Sequence, residues 1–217
     1  MNIFKRIYGH LKTVLKHKYY VFYYARMCGI TWRGLKHDMS KLEPVELFES
    51  IRYYSGDCSP IENCKRAEGY SKAWFHHRSN NSHHYEMWVD NYDHGGQMLI
   101  MPFEDCVEML CDYLAAARTY AENQGKEFTF KSELDWWVNR MRMGLSMNSA
   151  MKYFLTTMFV ELSNNEDNPK CVLKYDWLHI IYNCCINYDD SPEFIINDTE
   201  NKAKVEEIIK YYDLDKQ

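Results

Sequence analysis

The chain has 217 residues, of which 46% are hydrophobic and 16% aromatic, enough for one domain core and enough to exclude wholesale disorder. Its formal net charge of −5 argues against a protein that holds duplex DNA by phosphate neutralisation, although a local cationic pocket would still accept a small phosphorylated ligand. We find no signal peptide, no apolar run of membrane-spanning length, and no CxxC pair among the eight cysteines. These features predict a soluble, reduced, cytoplasmic protein with no membrane partner.

Most of the chain shows helical spacing of apolar residues, and strand patterns are weak throughout. We therefore predict an all-α fold. The predicted helices span residues 3–28, 43–54, 102–122, 131–143, 147–163, 171–187 and 199–212. Residues 55–69 and 91–99 are rich in turn formers and predict loops. The polar run 163–170 predicts a boundary between a helical domain (1–165) and a C-terminal helical extension (166–217).

The first candidate for chemistry along the chain is His37-Asp38, in "GLKHDMSKLEP". An imidazole beside a carboxylate suits Zn²⁺, Mn²⁺ or Fe, although the same dipeptide also serves as a helix cap with its neighbour. His17 precedes the pair on the first predicted helix, and Asp112 follows on the helix 102–122. Asp112 lies off the apolar stripe of that helix, next to Ala115 and Ala116. This placement fits either a solvated acidic face or a surface that another helix approaches closely.

The stretch "WFHHRSNNSHHYEMW", residues 74–88, contains two histidine pairs. On one unbroken helix, His76 and His83 would lie about 10 Å apart, too far to bind one ion. The intervening "RSNNS" is rich in cap and turn formers, so we expect a turn that brings one histidine of each pair together. Which member of each pair would be the ligand stays open. Histidines and tryptophans expected to serve packing rather than chemistry are His10, His94, His179, Trp74 and Trp88.

The order His17, His37-Asp38, Asp112 resembles the HD-domain metal-dependent phosphohydrolases, a helical superfamily that binds metal through a histidine, a His-Asp pair and a distal aspartate. "HDMSK" resembles the HD-x-G-K stretch of that superfamily, with Ser40 in the place of glycine. The run from "GLKHDMSKLEPVEL" through the histidine pairs to "MPFEDCVEMLCDYLAAARTY" is also similar to an uncharacterised bacterial and phage family of unknown function. That similarity covers residues 10–160.

The resemblance implies an HD-domain-like helical bundle that holds one divalent transition metal, with Mn, Fe or Zn as the main candidates and Mg or Co as alternatives. The implied ligands of this ion are His17, His37, Asp38 and Asp112. In members that hydrolyse phosphodiesters, the same aspartate bridges a second ion bound by further histidines, which would here come from His76, His77, His83 and His84. The candidate catalytic residues are Asp38 and two cations that would offset charge on phosphate oxygens, Lys41 and Arg78.

These features together predict a phosphohydrolase of the phosphodiesterase or nucleotidase type, acting on a nucleotide or cyclic nucleotide through a metal-activated water. Two alternatives use the same ligands: an HD-like di-iron oxygenase, and a non-catalytic metal-binding helical interaction protein. Aromatic residues in the last two predicted helices also suggest a homodimer through those helices. They are Tyr175, Trp177, Tyr182, Tyr211 and Tyr212.

Overall fold

A computed structural model describes residues 2–90, 93, 95–188 and 199–214, and in this part of the chain it contains ten α-helices. The helices are α1 (Ile3–Met27), α2 (Thr31–Lys36), α3 (Pro44–Tyr53), α4 (Pro60–Glu68), α5 (Lys72–Asn80), α6 (Phe103–Asn123), α7 (Phe130–Arg142), α8 (Ser149–Asn164), α9 (Tyr175–Ile186) and α10 (Thr199–Tyr211). Strands β1 (Val89–Asp90) and β2 (Gln97–Met98) pair antiparallel, and the 3₁₀ turns are Met39–Leu42, Tyr85–Met87 and Pro169–Cys171. The predicted all-α class is confirmed. None of the helices described is long and apolar enough to cross a bilayer.

The predicted loop at residues 55–69 is wrong, because α4 lies within it. Pro60 occupies the first turn of α4, and Gly69 ends the helix in the left-handed region with φ of 80°. Proline at a helix start and glycine just past its end are helix signals, but in a short polar segment they resemble turn residues. The predicted loop at 91–99 contains strand β2, and His94 lies outside the described residues.

The core forms where α1 packs along α6 and where α7, α9 and α10 pack around α8. Helix α8 is buried on nearly all sides, as expected for a helix that lies within a domain and not on its surface. On α7, the side chain of Trp137 is fully buried, and its indole N–H donates a 2.9 Å hydrogen bond to Thr156 Oγ1 on α8. The polar atom of this large side chain is therefore satisfied inside the core.

The C-terminal helices share this core. Leu178 and Ile181 of α9 and Ile209 of α10 belong to the same buried cluster as Phe154 and Phe159 of α8. The boundary expected near residue 165 falls just after α8, and the independence of the two parts stays a prediction.

Candidate metal centre

Helix α2 carries the His37-Asp38 pair back onto α1. Gly34 makes this approach possible, because a Cβ at that position would lie 2.4 Å from the Cβ of Ala25 and 3.3 Å from the Cα of Phe22. His17 faces inward from α1, and Asp112 faces it from α6 with its Oδ1 3.0 Å from His17 Nε2. Of the two expectations for the face of α6 that carries Asp112, the structure therefore agrees with a surface that another helix, here α1, approaches closely.

Asp38 lies at the centre of the cluster, with a backbone φ of 52° in the left-handed region, which aspartate tolerates better than most residues. Its Oδ2 atom is 3.2 Å from His37 Nε2 and 3.8 Å from His17 Nε2. Its Oδ1 atom is 3.4 Å from both His77 Nε2 and His83 Nε2. The two oxygens of one carboxylate therefore face two different sets of imidazoles.

Several polar atoms converge here without a hydrogen-bond partner among the described residues, although all are buried. They are the Nε2 atoms of His37, His83 and His84 and the Oδ1 atom of Asp38. Buried polar groups are ordinarily hydrogen-bonded because leaving them unpaired costs about 1–3 kcal/mol each. A cation at this point would satisfy all of these atoms together.

The converging atoms form two groups that can each hold a metal ion, with ligand atoms within 4.8 Å of one another. The first group is His17, His37, Asp38 and Asp112, and the second is Asp38, His77, His83 and His84. Imidazole nitrogens combined with carboxylate oxygens suit Zn²⁺, Mn²⁺ or Fe. The donor chemistry therefore fits the kind of ion that the sequence predicted.

Two buried glutamates hold the histidine rings from behind. His37 Nδ1 lies 2.9 Å from Glu108 Oε1, and His77 Nδ1 lies 2.8 Å from Glu46 Oε2. Arg33 Nε donates to Glu108 Oε2 at 2.8 Å, so this carboxylate is balanced by a cation. Carboxylates that bind the far nitrogen leave Nε2 free and correctly oriented for a metal. His37, His83 and Glu108 form a further group that could hold an ion. Because the Nδ1 atoms of both histidines face Glu108, we interpret this group as hydrogen bonding that orients the two rings.

Sequence reasoning missed both glutamates. Glu108 precedes Asp112 by one helical turn, so the two carboxylates lie on the same face of α6. That spacing was a usable signal. Glu46 gave none, because its role depends on how α3 packs against α5.

The local electrostatics favour the protonation states that metal binding needs at His17, His84, Asp38 and Asp112. Burial keeps the pKa of His17 below its ordinary value and that of His84 well below it, so both rings are neutral donors. Burial alone would raise the pKa of Asp38 and Asp112, but neighbouring imidazoles, chiefly His37 for Asp38 and His17 for Asp112, outweigh it and hold both pKa values well below the usual range. Burial would also lower the pKa of His37, but Asp38 and the neighbouring carboxylates outweigh it and raise this pKa well above its ordinary value, so a metal ion would have to displace a proton from this ring.

The histidine stretch turns after α5 as expected, although it brings in both histidines of the second pair and not one of each pair. Helix α5 ends at Asn80, and the next residues carry the chain into the 3₁₀ turn Tyr85–Met87. This turn brings His77 of the first pair together with both members of the second pair. His76 lies outside both ligand groups and contacts Glu43 and Glu46 instead, because consecutive residues on a helix point about 100° apart. Ser40 accepts a 2.9 Å hydrogen bond from Asn81 Nδ2, which ties the turn to the His-Asp loop.

The two predicted cations have different surroundings. Lys41 Nζ lies 2.5 Å from Asp38 Oδ2, at the edge of the cluster. Arg78 stacks on Phe75, with its guanidinium carbon 4.7 Å from the ring centroid. Lys41 is therefore the cation that the fold brings to the ligands.

A cavity of about 220 Å³ opens onto the cluster. Its ligand side is formed by His17, Lys41, His77, His84 and Asp112, and its other walls include His10, Ile61, Trp74 and Tyr120. Helix α4, which the sequence did not predict, contributes Pro60 and Ile61 to one wall. Trp74, expected to be a packing residue, lies edge-on to the His84 ring at 5.1 Å and also lines the cavity.

The other residues expected to serve packing have varied surroundings. Trp88 is partly buried and donates a 2.7 Å hydrogen bond to the Ser82 carbonyl, which stabilises the histidine turn. His10 is buried but borders the cavity, whereas His179 is exposed and contacts Phe103.

Comparisons with curated proteins and with solved structures give no match. A comparison with protein families gives one, over residues 6–159, which include both ligand groups and the two glutamates behind them. The chain therefore belongs to the family of unknown function designated DUF5662.

Proposed function

We propose that this protein is a metal-dependent phosphohydrolase with a two-ion site bridged by Asp38. The observation that carries the proposal is that Oδ1 and Oδ2 of this buried carboxylate face different imidazole sets, and that Oδ1 has no hydrogen-bond partner among the described residues. A carboxylate that served one ion, or only capped a helix, would not need two such sets. The resemblance of the ligand order to HD-domain phosphohydrolases supports the same assignment.

Two divalent ions held side by side supply a water of lowered pKa and polarise phosphoryl oxygens. The residues of the chain supply the remainder of the site. Lys41 places a positive charge beside Asp38, where a phosphate oxygen would approach the ligands. Glu46 and Glu108 keep His77 and His37 in the orientation that binds metal. Ion identity in this scheme is Mn, Fe or Zn.

The cavity supports a small substrate. Trp74 and Tyr120 provide aromatic walls beside the ligand side. A nucleotide or cyclic nucleotide, with its phosphate at Lys41 and its ring system against these walls, is the substrate class that we propose. A purely structural metal site would need no cavity reaching its ligands.

The first test is the metal content of purified protein expressed with Mn²⁺, Fe²⁺ or Zn²⁺. We expect about two equivalents in the wild type and less than one in Asp38→Ala, because both ligand groups share this residue. His77→Ala should lose one ion only. His76→Ala is the matched control, since it removes the adjacent histidine, which is outside both groups, and should retain both ions.

Hydrolysis of bis(p-nitrophenyl) phosphate and p-nitrophenyl phosphate, followed together with oxygen uptake, then tests the reaction. Phosphoester hydrolysis that depends on Asp38 supports the proposal. Absence of stoichiometric metal in the wild type contradicts it. Two retained irons with oxygen uptake and no hydrolysis would indicate the oxygenase alternative, and retained metal with neither activity would indicate a binding protein.

A further inference from the structure

A row of exposed apolar side chains runs along α1 on a different side from its core face. Its members recur every three or four residues: Phe4, Tyr8, Leu11, Leu15 and Tyr19. Phe4 is 79% exposed and Leu15 is 67% exposed, whereas Val14 and Val21 are buried. A surface helix needs one apolar stripe to pack on its own domain, and α1 has two.

A second exposed apolar row follows the chain from α2 into α3. It consists of Trp32, Leu35, Met39, Leu42, Val45 and Phe48. The two rows adjoin, because α2 packs on α1 and the sulfur of Met39 lies 3.7 Å from Lys18 Nζ, on the turn of α1 between Leu15 and Tyr19. We call the two rows together the α1–α3 face.

The area of the α1–α3 face is close to what one side of a stable dimer buries. Its five aromatic side chains are each at least 62% exposed, and each contributes about 100–150 Å². With the aliphatic side chains, the face reaches roughly 1,000 Å², compared with about 800 Å² per partner in a standard interface. The largest apolar patch on a monomeric protein is usually about 300–600 Å².

We propose that the α1–α3 face is the contact between two copies of this chain. The spacing of Phe4, Tyr8, Leu11 and Leu15 is that of a helix–helix seam, with apolar residues alternating at intervals of four and three. Lysines such as Lys5 and Lys12 follow these residues on α1 at the rim of the face, where solvent screens their charge. A nucleic-acid surface would instead place polar and cationic groups at its centre.

The position of this face differs from the homodimer contact expected from the sequence. On the C-terminal helices, Tyr182 is buried and Trp177 and Tyr212 pack against the core. Tyr211, at 80% exposed, is the large apolar side chain that those helices leave most open among the residues described. The α1–α3 face is built from the same segments as the candidate metal centre. In sequence, His17 falls between Leu15 and Tyr19, and His37-Asp38 falls between Leu35 and Met39.

Sedimentation equilibrium of the full chain tests the proposal. We expect the wild type to have twice the 26.1 kDa monomer mass. Leu15→Glu should raise the dissociation constant of the dimer at least about 30-fold, because it buries an unpaired carboxylate at the centre of the contact. Leu15 is exposed in the monomer, so helical content by circular dichroism should not change.

Tyr211→Glu and Met143→Glu are the controls, because each also replaces an exposed apolar side chain with glutamate but lies outside the α1–α3 face. These side chains are 80% and 87% exposed, and both variants should remain dimers. A monomeric wild type at all concentrations overturns the proposal. So does a dimer that Tyr211→Glu disrupts and Leu15→Glu does not, which would locate the contact on the C-terminal helices. A monomer that binds phosphatidylserine vesicles through Leu15 would also overturn it, because the face would then serve a lipid surface.

Discussion

The carboxyl group of Glu133 is buried, whereas most carboxyl groups are exposed to solvent. It lies in the first turn of α7 at 5% exposure, and burial raises the pKa of its carboxyl to about 8. In the unfolded chain a glutamate titrates near a pKa of about 4.3. The folded protein therefore holds this proton more tightly than the unfolded chain does, and the residue contributes a pH dependence that needs no metal.

Between pH of about 4.3 and about 8, the unfolded chain has lost the Glu133 proton and the folded protein retains it, so the free energy of unfolding should fall as pH rises. The loss is on the order of 1.4 kcal/mol per pH unit and levels off above the folded pKa. Glu133→Gln should remove this slope. Urea unfolding from pH 5 to pH 8.5 measures it, with exposed Glu127→Gln as the matched control. Equal slopes in all three proteins would contradict the assignment.

The convergence of the candidate ligands was predictable where they occur in a recognisable order. His17, His37, Asp38 and Asp112 meet in one group. The selection of His77 over His76 was not predictable, because it depends on the rotation of α5 about its own axis. Both His83 and His84 reach the second group, because they lie after the end of α5, where consecutive side chains are no longer held about 100° apart. These outcomes depend on tertiary packing, which a single sequence does not show.

Among the helices, the packing of α2 on α1 depends on one glycine, Gly34. A methyl group at Gly34 would lie 2.4 Å from the Cβ of Ala25 on α1, and neither atom can move without its backbone. We expect Gly34→Ala to lower the free energy of unfolding by about 1–3 kcal/mol, the usual cost of overpacking. Urea unfolding measures the effect.

The double variant Gly34→Ala/Ala25→Gly is the control for the Gly34 prediction. Removing the opposing methyl group should recover part of the loss, although glycine within α1 itself costs about 1 kcal/mol. A favourable coupling between the two changes supports the contact. If the two effects simply add, the close approach of α2 to α1 is not what requires glycine.

The long helices were predictable because each shows a sustained apolar period. Helix α1 was expected at 3–28 and spans Ile3–Met27, and α7 was expected at 131–143 and spans Phe130–Arg142. The short helices α2, α4 and α5 have six to nine residues, too few to form without tertiary contacts. These three position candidate metal ligands and one wall of the cavity, so the elements that form the candidate site were the hardest to predict from the sequence.

At the scale of the molecule, α8 requires its C-terminal neighbours. Leu155, Met158 and Leu162 are fully buried in the cluster that α9 and α10 complete. A chain ending at residue 165 would expose much of this surface to water. We expect it to aggregate or to lose cooperative unfolding, as measured by light scattering and thermal denaturation beside the full chain.

A soluble 1–165 fragment that unfolds cooperatively would contradict the truncation prediction. It would instead support the two-part organisation read from the polar run 163–170. Adding back a synthetic peptide of residues 166–217 is the control: rescue of solubility would show that the missing contacts, rather than a damaged chain end, caused the failure.

The ligands of the two groups span residues 17 to 112, on segments that only the completed fold brings together. During synthesis, a nascent chain cannot assemble the first group until Asp112 has emerged from the ribosome. Once the chain has folded, Asp38 and His37 are each 2% exposed, so an ion bound between them would reach solvent through the cavity that His17, His84 and Asp112 line. The passage that admits a substrate would then also be the passage through which ions exchange, so a bound substrate should slow the loss of metal to a chelator.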